Sequence, residues 1–124
     1  MDGLRVTVDG GTLPAEWVEE NPETRAAIER ALPIEGAATR WGDELYLRSD
    51  VEVGPESARA ELEAGELAYW PQGNAICLFW GPTPASVGDE PRAASPVNAF
   101  GRADVSGFDP GPGGATLRIE STAP

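Results

Sequence analysis

The sequence predicts a mostly β domain of about eight short antiparallel strands, closed into a barrel or sandwich and capped by a single helix. Three observations carry this. Apolar and polar residues alternate with period 2 through most of the chain. Gly- and Pro-rich turns cut that alternation into short pieces. The segment 22–32 instead has helical spacing, with a start signal before it and a proline after it. At 124 residues the chain has room for one domain, spanning 1–124, and one core.

Leu4, Val6 and Val8 alternate with Arg5 and Thr7 as in a half-buried strand. Asp9-Gly10-Gly11 reads as a tight turn, and Thr12 to Trp17 as the returning strand. Pro14 puts that strand at an edge or a bulge. The helix opens with Asn21 as cap and Pro22 in its first position, where a missing N–H costs nothing. Thr24, Ala27, Ile28, Ala31 and Leu32 fall on one face, Arg25 and Glu29 pair on the other, and Pro33 ends it. About 11 residues of helix are marginal alone, so this one must pack on the sheet.

Gly36 to Trp41 and Glu44 to Arg48 read as a hairpin turning at Gly42-Asp43, with Leu45 and Leu47 on one face and Tyr46 and Arg48 on the other. Ser57 to Ala64 is ambiguous: its composition favours helix, its surroundings an extended connection. Leu67 to Trp70 and Ala75 to Trp80 are strands around a Pro71-Gln72-Gly73-Asn74 turn. The second is apolar on both faces, as a centrally placed strand covered on both sides would be. Gly81 to Pro96 reads as a long surface loop. Val97 to Ala103 is another strand, Gly107 to Gly114 a turn region, and Thr116 to Glu120 the closing strand.

The chain carries 21 acids against 9 bases, a formal net charge of −12, with no lysine and no histidine. Such a charge repels itself in dilute buffer and is screened at molar salt, where the Debye length is about 3 Å. The expectation is a halophilic, acid-surfaced protein that does not bind nucleic acid, which is gripped by clustered cations. No apolar run approaches the roughly 20 residues of a membrane span and no secretory leader is visible, so a cytoplasmic location is expected.

Absence of histidine excludes Ser-His-Asp and Cys-His catalytic pairs. With one cysteine, Cys77, and no histidine, no tetrahedral zinc site is expected, and no cofactor. Cys77, in the middle of an apolar strand, reads as core.

Two segments carry more information. Gly65-Glu66-Leu67-Ala68-Tyr69-Trp70-Pro71-Gln72-Gly73-Asn74-Ala75-Ile76-Cys77-Leu78-Phe79-Trp80-Gly81-Pro82-Thr83-Pro84 and Ser95-Pro96-Val97-Asn98-Ala99-Phe100-Gly101-Arg102 resemble the prokaryotic cyclophilin-like β-barrel family, and Ala38-Thr39-Arg40-Trp41-Gly42-Asp43-Glu44 fits it too. That family is similar in fold to the cyclophilin-type peptidyl-prolyl isomerases, an eight-stranded antiparallel barrel. The resemblance implies that Phe79 stands where an isomerase strand supplies the proline pocket. It makes Arg40 the counterpart of the arginine that acts on the prolyl nitrogen. Arg48 stands where the isomerases have glutamine, and their pocket histidine has no equivalent. An isomerase lowers a barrier of about 20 kcal/mol by stabilising the twisted amide.

The sequence therefore leads to a cyclophilin-like barrel that binds a small molecule or an extended peptide in a surface groove. A peptidyl-prolyl isomerase and an oligomeric structural protein are the alternatives, and the oligomeric state is left open. Arg40 is the candidate catalytic residue. Trp41, Trp70 and Phe79 are candidate ligand-contacting aromatics, and Tyr69 and Asn98 are polar groups able to orient a ligand or to satisfy buried backbone.

Overall fold

Side chains that point alternately to two sides need two things to bury them, and the chain supplies both. The structure, a computed structural model, is described for residues 3–122. Its strands are β1 (Gly3–Val8), β2 (Gly11–Trp17), β3 (Ile34–Arg40), β4 (Glu44–Arg48), β5 (Arg59–Glu61), β6 (Glu66–Trp70), β7 (Ala75–Phe79), β8 (Arg92–Ala103) and β9 (Ala115–Ser121), with helix α1 (Pro22–Ala31) between β2 and β3. The pairings are antiparallel, in the order β2-β1-β9-β3-β4-β7-β6-β8. β8 then pairs back with β2 through Ala15↔Ala103, Glu16↔Arg102 and Trp17↔Gly101. Eight strands thus form a ring, and β5 hangs outside it on the first half of β8.

The ring interior is filled from one side of each strand: Leu4, Val6 and Val8 of β1, Leu45 and Leu47 of β4, Leu67 and Tyr69 of β6, Ile76 and Leu78 of β7, Phe100 of β8, and Leu117 and Ile119 of β9. Helix α1 adds Ile28, which is fully buried in the same cluster. The opposite side of β4, β6, β7 and β8 carries a second cluster of Leu62, Ala68, Cys77, Phe79, Ala93 and Val97. β7 is buried along its whole length for this reason, as its doubly apolar pattern predicts.

The Asp9-Gly10 turn has φ values of 49° and 87°, the left-handed geometry that a two-residue hairpin demands. Pro14 of β2 faces Arg5 of β1, and the pairing to β8 begins only at Ala15, so the missing N–H breaks no ladder. Residues 57–64 contain β5, so the extended alternative holds there.

Three local expectations need correction. Asn21 does not cap the helix with its side chain. It is fully buried, donates to Ala99 O (2.8 Å) and accepts from Ser57 N (2.6 Å). The cap comes from the Glu56 carboxylate, which accepts from Glu23 N, Thr24 N and Thr24 Oγ1 at 3.0–3.1 Å. A buried amide is held by its long-range partners, and a remote carboxylate serves the open N–H groups as well as a local side chain does. Ala31, expected on the buried helix face, is exposed. The third correction matters most for the site: residues 81–96 are not all loop, because β8 starts at Arg92 and runs through Pro96. Its first half pairs with β5 through a register shift, which tolerates a proline.

Candidate functional site

The outward residues of β4, β6 and β7 meet the first half of β8 without filling the space between them. A cavity of about 250 Å³ remains, lined by Trp41, Glu44, Tyr46, Trp70, Cys77, Ala93, Ala94 and Val97. Glu44 and Tyr46 come from β4, two residues apart and therefore on one face, opposite Phe79 and Cys77 of β7. Trp41 precedes the turn into β4, fixed by its backbone N–H to Glu44 O (2.8 Å). Gly42 in that turn has φ 61° and packs so tightly against Thr83 that an added Cβ would lie 2.8 Å from the Thr83 Cα. Only glycine fits there, and the turn in turn sets where Trp41 and Glu44 stand. On the far wall the Trp70 indole N–H donates to Ser95 Oγ (2.6 Å), which holds the ring against β8.

The walls are apolar and aromatic, and Glu44 brings the one carboxyl. Its residue is only 5% exposed. Burial raises the carboxyl from 4.5 to about 7, against a smaller opposing effect of the hydrogen bond from the Cys77 thiol. Burial pushes the thiol itself well above its usual range, and the neighbouring Glu44 charge pushes it further. Cys77 is thus a protonated donor and not a nucleophile.

Glu66 shows what a buried carboxylate looks like when its role is structural. It is as buried as Glu44, at 3%. Both oxygens accept from Arg59, at 2.6 and 3.0 Å, and one also accepts from Glu63 N. Arg59 in turn bridges to Glu20. Glu44 has no ion pair among the described residues. A buried acid left without a cation is costly, and sites of that kind concentrate where ligands bind. Among the described residues no group of three or more His, Cys, Asp or Glu is placed to hold a metal ion.

The model of the cyclophilin-like family matches residues 2–107, a span that includes every residue of the cavity. The chain belongs to the cyclophilin-like family. A solved relative is a hypothetical protein from Archaeoglobus fulgidus, known from its solution structure. It is 39% identical, with a TM-score of 0.75, over 97% of this chain and 93% of that one. No curated protein matches.

In this cyclophilin-like chain the residues singled out from the sequence do not converge on one place. Trp41 and Trp70 line the cavity. Phe79 is fully buried in the cluster beside it. Tyr69 lies on the opposite side of β6, within the ring. Its hydroxyl donates to Val51 O (2.6 Å) and accepts from Asn74 Nδ2 (2.9 Å). Asn98, fully buried, donates to Thr24 Oγ1 and Gly54 O and accepts from Glu56 N, tying the 54–56 segment to helix and sheet. Arg40 lies away from the cavity. Its guanidinium donates to Gly42 O, Pro110 O, Gly111 O and Asp43 Oδ1, and sits 5.2 Å over the Trp80 ring. It clamps the turn before β9. Glu44, Tyr46 and Cys77 were not singled out as site residues from the sequence. Period-2 spacing does place Glu44 and Tyr46 on one face, but only burial separates Glu44 from the other acids.

Proposed function

We propose that this cyclophilin-like chain binds a small molecule in the cavity between the outer face of β4-β7-β6 and the first half of β8. The observation that carries the reading is Glu44: a buried carboxyl on an apolar, aromatic wall, without the arginine that its counterpart Glu66 has. A cavity of about 250 Å³ suits a small ligand better than an extended peptide. Binding is favoured over proline isomerisation because Arg40, the donor that chemistry would use, has its N–H groups committed to Gly42, Asp43 and the 110–111 carbonyls. The test is a fragment titration followed by protein NMR. The expected shifts cluster on the Trp41 and Trp70 indole N–H groups and on the Ala93 and Val97 methyls, and Ala94→Phe at the rim suppresses them. Fragments that perturb only the Arg40 clamp, or nothing, would sink the reading.

The net charge of −12 supports a working environment of concentrated salt. Thermal unfolding at about 0.1 M and about 1 M KCl checks this, since the Debye length falls from about 10 Å to about 3 Å between them. A melting temperature that does not rise removes the halophilic reading.

A further inference from the structure

We infer that the cavity takes a compact organic cation of the methylated-ammonium kind, with Trp41, Tyr46 and Trp70 as its walls and Glu44 as its counter-ion. This rests on the cavity being the ligand site and names the chemistry of what enters it.

Three aromatic side chains and one carboxyl line a space closed otherwise by Ala93, Ala94, Val97 and Cys77. Aromatic faces attract a cation through the ring quadrupole, most strongly for tryptophan and most strongly when water is excluded. The carboxyl supplies the net charge that such a ligand balances. A bare primary ammonium is a poor fit. It is strongly hydrated and brings three donors. The lining side chains answer with one carboxyl, one phenol and a thiol already turned toward that carboxyl. N-methyl groups need no acceptors and present apolar surface to apolar walls. The same argument disfavours anions, which would meet Glu44 with no cation beside it. It also gives Trp70 a role: the bond to Ser95 Oγ fixes the ring plane before a ligand arrives, so less order has to be created on binding.

The titratable groups facing the cavity are Glu44 and Tyr46 from β4 and Cys77 from β7, while β8 contributes only Ala93, Ala94 and Val97. Over neutral pH the one that changes charge is Glu44, whose carboxyl titrates near 7. A cation therefore binds best above that pH, and binding below it expels a proton.

The experiment titrates choline and its uncharged isostere 3,3-dimethyl-1-butanol into the full chain in molar KCl, read by NMR at the Trp41 and Trp70 indoles. At about pH 8 choline is expected to bind at least about tenfold more tightly than the isostere, because only the cation gains from carboxylate and ring faces. Going from about pH 8 to about pH 6 should weaken choline by about tenfold and leave the isostere unchanged. Glu44→Gln should abolish the pH dependence and cut the preference to the part that the ring faces supply. Trp41→Leu, which keeps apolar area but removes a π face, should weaken choline and spare the isostere. Equal binding of both probes, insensitive to Glu44→Gln, would overturn the cation assignment while leaving the cavity a ligand site. Silence of both probes where the neutral fragments do bind would overturn it in the same way. Silence of all ligands removes the assignment and the site together.

Discussion

The two sides of β4, β6 and β7 are built from the same strands and obey different rules. Inside the ring, Leu45, Leu47, Leu67, Ile76 and Leu78 are buried in one cluster, and Tyr69 among them has its hydroxyl bonded to Val51 and Asn74. Outside, Tyr46, Trp70 and Cys77 border an open space, and Glu44 lines it with no ion pair among the described residues. One side is closed over its apolar residues, and the other keeps a cavity beside a buried acid. A fold can keep a costly buried acid only if the rest of the molecule holds it there, and the ring is what does so.

Four substitutions test that contrast, and the largest effect is expected inside. Leu78→Ala removes a fully buried side chain from the ring interior and should cost about 2–5 kcal/mol in denaturant unfolding. A loss below 1 kcal/mol, on the order of a surface change, would mean that the interior is as loose as the exterior. Glu44→Gln should do the reverse on the outer face. The folded carboxyl titrates near 7 against 4.5 for the free group, so the folded state holds a proton that the unfolded chain releases. Stability from this group is whole below about pH 4.5 and is lost as pH rises through 7, a difference of about 3 kcal/mol. The variant should lack that slope and be the more stable protein at about pH 8; parallel stability–pH curves for the two would contradict this.

Tyr69→Phe is expected to be smaller, about 1–2 kcal/mol, because it removes a buried hydroxyl that donates to Val51 O and accepts from Asn74 Nδ2 and Val53 N. Ligand binding in the outer cavity should not change, and a variant that loses binding along with stability would merge the two regions. Cys77→Ala should be the mildest, about 1 kcal/mol, since it removes one hydrogen bond beside a space that is already open. Its signature is elsewhere: without the thiol donor the Glu44 carboxyl should titrate higher, observable by carboxyl carbon NMR. An unmoved or lowered titration would show that the thiol does not support the charged form.

Much of this was legible from residue order. Alternation in 44–48 and 75–80 sorts side chains onto two faces without saying which face turns inward, and the helix declares itself through Pro22, Ile28 and Pro33. Trp41 and Trp70 were picked out as aromatics on strands, and both face the cavity. Tyr69 and Asn98 were picked out as polar groups on apolar strands, and both carry buried hydrogen bonds. The start of β8 was hidden because Pro96 and its small polar neighbours look like loop, while the strand there needs only one partner, β5. Glu44 was hidden among 21 acids, because identity alone does not distinguish a solvated carboxylate from a desolvated one. Glu56 was hidden because its bonds reach 32 and 33 residues back along the chain.

The far wall of the cavity belongs to the half of β8 that lies outside the ring, where Arg92 to Val97 touch β5. That arrangement separates two inheritances within one strand. Residues 98–103 are bound to the closure of the shell and have little room to vary. Residues 92–97 pair with β5 and not with the ring, so a change of size or polarity there falls on the cavity wall and spares the closure of the shell.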